Sequence, residues 1–76
     1  MPVTSALLMN FATARRLYSV ELSQDLLGDW MVTRSWKDKE HGRVGRKQTL
    51  VENHSMGMAL VDTFARKQAK LGYRPC

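Results

Sequence analysis

The feature that most constrains this chain is a change of hydrophobic period near Asn53. Upstream of it, apolar residues alternate with polar ones. Tyr18, Val20 and Leu22 point one way, and Ser19 and Glu21 the other. Trp30, Val32, Arg34 and Trp36 share one face, with Met31, Thr33 and Ser35 opposite. A period of two belongs to half-buried strands. Downstream, Met56, Leu60, Val61, Phe64, Ala65 and Leu71 recur at spacings of three and four, the stripe of an amphipathic helix. Strands followed by one helix predict a small α+β fold, an antiparallel β-sheet with a C-terminal helix packed on one face. The core would then lie between the helix stripe and the sheet face bearing Tyr18, Val20, Trp30 and Val32.

Local signals place the elements. Residues 15–22 and 29–36 are the clearest strands, separated by a polar turn in which Gly28 supplies turn geometry. Residues 5–9, Ser-Ala-Leu-Leu-Met, read as a short first strand, although Ala and Leu serve helices equally well. Lys37–Arg46 is charged, holds two glycines and reads as an exposed loop. Residues 48–52 form a last short strand. Asn53 or Ser55 caps the helix, which runs to about Leu71, where Gly72 suits a left-handed C-cap.

Composition narrows the function. With 76 residues there is room for one domain, residues 1–76, that buries only ~60% of its unfolded surface, so a deep catalytic pocket and a small-molecule substrate are not expected. Lys and Arg number 12 against 7 Asp and Glu, a net charge of +5, which favours a polyanionic partner. No apolar run approaches the ~20 residues that span a bilayer, and the start has no signal-peptide pattern. The single cysteine, Cys76, has no partner for an internal disulfide, and His41 and His54 have no ligand at zinc spacing. The expectation is a cytoplasmic protein without metal or cofactor, and not an enzyme.

Four stretches in order resemble one known family: Tyr18-Ser-Val-Glu-Leu22, Leu27-Gly-Asp-Trp-Met-Val-Thr-Arg-Ser-Trp36, Gly42-Arg-Val-Gly45, and a helix ending Lys70-Leu-Gly-Tyr73. Together they are similar to the WGR domain, over roughly residues 12–74. That domain occurs in DNA-dependent poly(ADP-ribose) polymerases, in bacterial regulators and in small stand-alone bacterial proteins. The resemblance implies a small antiparallel sheet with one helix, and contact with DNA near a strand break and with neighbouring domains. It implies that Trp36 packs against a sugar and that Arg43 makes polar contacts. In the family the Trp, Gly and Arg are adjacent, whereas here Lys37–His41 stand between Trp36 and Gly42.

Arg34, Lys37, Lys39, Arg43, Arg46 and Lys47 place six cations within 14 residues. Such a loop can displace counterions from a phosphate backbone, or it can be a solvated hairpin that aids solubility. Trp36, at the strand end beside it, either stacks on a base or ribose or packs in the core with Trp30 and Val32. The first reading is a non-enzymatic nucleic-acid-binding module, DNA with low sequence specificity, since nothing resembles a recognition helix. The second is a protein-interaction or homo-oligomerisation module, with Met58, off the main helix stripe, as an exposed apolar contact. Arg66, Lys67, Lys70 and Arg74 form a second basic cluster that suits the helix dipole.

Overall fold

The computed structural model describes residues 4–76. Among them, five strands and one helix follow the order β1 (Thr4–Ala12), β2 (Arg16–Gln24), β3 (Trp30–Asp38), β4 (Val44–Val51), α1 (His54–Lys70) and β5 (Arg74–Pro75). The sheet is antiparallel throughout, in the order β4-β3-β2-β1-β5. The expected α+β architecture is the observed one.

Each connection is closed by a side chain that substitutes for missing ladder bonds. After β1, the Thr13 hydroxyl accepts the amides of Arg15 (3.3 Å) and Arg16 (3.0 Å). After β2, the Asp25 carboxylate accepts those of Leu27 and Asp29, both at 2.9 Å, while Gly28 takes a φ of 86°. The β3–β4 turn is tighter than the charged run suggests. β3 continues to Asp38 and β4 begins at Val44, with Lys37 paired to Val44. Asp38 then holds the turn by accepting the amides of Glu40 (2.8 Å) and His41 (3.3 Å). Charge does not prevent pairing where both strand faces reach water, so the expected ten-residue loop shrinks to a short turn.

The helix has the ends the sequence announces. The Asn53 side chain accepts the Met56 amide at 2.9 Å. At the far end Gly72 has a φ of 93°, its amide reaches Ala69 O, and the Tyr73 amide reaches Gln68 O. This 6→1 and 5→2 pattern is a Schellman motif. It turns the chain back toward the sheet, where Arg74 and Pro75 pair with Ala12 and Phe11. That last short strand is not foreseen by the sequence.

Register puts Leu7, Met9, Phe11, Tyr18, Val20, Leu22, Trp30, Val32, Arg34 and Trp36 on the face that carries α1. The helix lies over β2 and β3, touches β4, and presents Leu60, Val61, Phe64 and Ala65. Phe11, Tyr18, Val20, Leu22, Val32 and Val61 are buried. Trp30 packs on this core, and the His54 ring meets it edge-on at 5.2 Å. Met56, expected on the helix core stripe, is 49% exposed, because the next residue, Gly57, is the one that faces the sheet, which turns Met56 to the flank of the helix. Met58 is exposed, as its position off the stripe implies. No described helix is long and apolar enough to cross a membrane.

Helix and sheet approach most closely at Gly57, which is buried. A Cβ there would overlap Leu22 Cδ1 and stand 3.3 Å from Val51 Cγ2. Leu22 is fully buried and has little room to yield. A mid-helix Gly→Ala change on an open face would stabilise by ~1 kcal/mol. Here overpacking, ~1–3 kcal/mol, outweighs it. Gly57→Ala is expected to lower the urea midpoint, with the slope of the unfolding transition unchanged.

Candidate nucleic-acid interface

The apolar stripe of α1 ends near Phe64, but the sheet face continues beneath its last turn. There the strand residues become polar or aromatic: Arg16 and Tyr18 on β2, Arg34 and Trp36 on β3. Together with Arg43, Gln68, Leu71 and Tyr73 they line a groove of about 590 Å³ between the helix end and the sheet. A second cleft lies on the opposite sheet face, lined mainly by Leu17, Ser19, Ser35, Lys37, Val44 and Arg46. It is the more apolar of the two, but the converging cations are in the first.

Trp36 stands at the mouth of the groove, 41% exposed. Cross-strand pairing sets it opposite Gly45, and the indole lies across that residue so closely that a Cβ on Gly45 would overlap Trp36 Cε2 and Nε1. One flat face is thus seated on backbone and the other side is open. The ring does not pack in the core with Trp30 and Val32; it rests on the neighbouring strand and is partly exposed.

Arg34 is the most constrained cation. Its guanidinium carbon lies 4.2 Å from the Phe64 ring centroid, a cation–π contact that ties β3 to α1. Its Nε is buried without a hydrogen-bond partner. The Tyr18 hydroxyl, in a side chain only 6% exposed, is likewise unpartnered. Burial raises the Tyr18 pKa, and nearby Arg34 and Gln68 offset part of that, although neither makes a hydrogen bond of good geometry to the hydroxyl. Tyr18 therefore stays protonated at neutral pH and can donate. Buried polar groups without partners are uncommon in native proteins, and these two share one groove.

No family model, curated protein or solved structure matches this chain.

The six cations grouped by the sequence do not form one patch. Arg34 and Arg43 line the groove with Trp36, and Lys37 reaches its rim. Lys47 pairs with Arg34 across the strands, on the same face but on the edge strand outside the groove. Arg46 lies on the opposite face. The Lys39 ammonium donates to the Thr13 carbonyl at 3.2 Å and so bridges two hairpin ends. The Lys37–His41 segment does not part Trp36 from Arg43, because it lengthens the hairpin beyond the Trp36–Gly45 pair. Sequence reasoning leaves Arg16 unassigned to either basic patch and misses Tyr18 and Gln68 as groove residues. Alternation carries the signal for the first, since Arg16 falls two residues before Tyr18 and on its face.

Asp38, Glu40 and His41 lie close together in the turn. The Asp38 carboxylate is engaged by two backbone amides and by His41 Nδ1 at 3.2 Å. These bonds, that of His41 first, hold the Asp38 pKa below the usual aspartate range. A lowered folded-state pKa adds stability above the unfolded value, and that stability is lost as pH falls through the folded one.

Two outcomes are expected. The Asp38 carboxyl, followed by carbon-detected NMR, should titrate below an ordinary aspartate, and His41→Ala should move it upward. Gly45→Ala in a Trp30→Phe background should lift the indole off the strand. Acrylamide quenching of the remaining tryptophan should then rise while the circular dichroism spectrum keeps its shape.

Proposed function

We propose that the groove beneath the helix end receives a nucleic-acid backbone, most simply DNA, with little dependence on base sequence. The carrying observation is the half-open Trp36 indole at the mouth of a groove that also holds Arg16, Arg34 and Arg43. An indole with one seated and one open side suits packing on a sugar or base. Arginines suit phosphate oxygens through paired donors. The Tyr18 hydroxyl and Arg34 Nε are unpartnered but closed off from solvent, so phosphate contact falls first to Arg16 and Arg43, both exposed. The net charge of +5 adds long-range attraction. The resemblance to the WGR domain supports the same reading, since the residues it carries over, Trp36 and Arg43, meet in this groove. The reading requires no catalysis, cofactor or metal, and places the protein among small non-enzymatic DNA-binding modules.

Base-sequence readout is not expected, because the groove is lined by strand side chains and the C-terminal end of the helix rather than by a helix laid along base edges. Three or four phosphate contacts predict a slope of about −3 in a log–log plot of affinity against salt for duplex DNA. Titration of a short blunt duplex at several salt concentrations measures it. Trp36→Ala and Arg43→Ala should each weaken binding roughly tenfold, the scale of losing one stacking or phosphate contact of ~1–3 kcal/mol. Arg46→Ala, on the other face, removes the same charge and should cost much less. Absence of binding at low salt, or equal losses for Arg43→Ala and Arg46→Ala, would sink the proposal.

A further inference from the structure

A hairpin turn is usually made of small or polar residues, because it needs only special backbone geometry and local hydrogen bonds. The β2–β3 turn departs from this. Asp25 and Gly28 build it. The Asp25 carboxylate accepts two amides, the Asp25 amide donates to the Asp29 carbonyl at 3.0 Å, and the Gly28 amide donates to the Asp25 carbonyl at 3.1 Å. The Gln24 side chain donates to the Gly28 carbonyl at 3.1 Å. The side chains of Leu26 and Leu27 take no part, yet they stand at the tip 64% and 86% exposed. Scattered exposed leucines are ordinary. Two adjacent ones on a tightly bonded tip form a preorganised apolar contact, with little conformational freedom to lose on docking.

The sheet face opposite α1 carries a cleft of about 680 Å³. Register sets Leu17, Lys37 and Val44 in one row across β2, β3 and β4, and Ser19, Ser35 and Arg46 in the next. The two serine hydroxyls lie 3.0 Å apart and bond to each other, so the floor is small and its polar groups are engaged. Leu17 and Val44 form apolar walls, Lys37 and Arg46 are exposed cations, and no acidic side chain lines the cleft. No described element packs over this face, since α1 covers the other one. Among the described residues the two most exposed large apolar side chains are Leu27, in the tip, and Val44, 73% exposed, in the cleft wall.

We propose that the β2–β3 tip of one copy docks in this cleft of a second copy. Leu26 and Leu27 then leave water between Leu17 and Val44, while Asp25 and Asp29 approach Lys37 and Arg46. A second copy is the occupant because the two surfaces complement each other in charge as well as in apolar character. Residues 24–29 hold two acids and no cation, and the cleft holds two cations and no acid. One chain cannot fill its own cleft, because the turn and the cleft lie at opposite ends of the β2–β3 hairpin. The two patches differ, so the contact is heterologous and continues from copy to copy, closing as a ring or running on as a filament. The docked carboxylates also offset repulsion between chains of net charge +5. The proposed nucleic-acid groove opens on the other face, so duplex binding and self-association stand or fall separately.

Sedimentation equilibrium over about 10 µM to 1 mM, the span in which small interfaces assemble, should show the mass rising from 8.7 kDa past twice that value. Leu27→Lys spoils the tip and Arg46→Glu the cleft. Each variant alone should stay monomeric with an unchanged circular dichroism spectrum. An equimolar mixture of the two should form a one-to-one pair and stop there, since one supplies an intact cleft and the other an intact tip. Met58→Lys, an exposed position on the helix, should assemble like the parent. In the parent itself, nitrogen-15 shifts of residues 26–29 and of Ser19, Ser35 and Arg46 should move with concentration, while that of Gln68 stays. A monomer throughout, a tip or cleft variant that assembles like the parent, a mixture that stays monomeric, or shifts confined to β1 would overturn the proposal. Loss of assembly in Met58→Lys would do so as well.

Discussion

A guanidinium ends the hydrophobic core of this protein. Arg34 occupies a face of β3 on which Val32 is fully buried and Trp30 packs against the core, a place where an aliphatic side chain would extend the core under the last turn of α1. The charge resides there because the Phe64 ring offers its electron-rich face 4.2 Å away. A half-buried charge gains from such a contact, since partial desolvation is costly. The apolar contact between helix and sheet therefore stops at Phe64, and the sheet beyond it faces a groove rather than a helix. Tyr18, Trp36 and Gln68 take their surroundings from that stop.

The fold was legible where one physical signal dominated. Alternation assigned Tyr18, Val20 and Leu22 to the covered face, and Asn53 and Gly72 marked the helix ends through their capping chemistry. Less legible were elements that depend on distant partners. Arg74 and Pro75 form a strand only because the Schellman turn at Gly72 aims the chain at Phe11 and Ala12. The charged Lys37–Arg46 run lacked apolar alternation, yet most of it pairs, since backbone bonds need no buried side chain when both faces reach solvent.

The site was harder to read for a related reason. Closeness in sequence is not closeness in space on a strand. Arg46 and Lys47 are neighbours along the chain and lie on opposite faces of the sheet. The period of two that identified the strands also divides their charges, and applied to Arg16 it would have brought that residue beside Tyr18. Arg34 and Arg43 were within reach of the sequence, but the partners that define the groove, Gln68 and Tyr73, come from the far end of the helix and were not.

The contact between Trp36 and Gly45 has a consequence for divergence of this sequence. The ring fills the volume that any side chain at position 45 would need, so the two positions are not free to drift separately. A larger residue at 45 pushes the indole off the strand, so a lineage that keeps the ring seated must keep the bare backbone beneath it. Covariation between positions 36 and 45 would therefore mark any sequence that keeps this contact, insensitive to how many residues the intervening hairpin gains or loses.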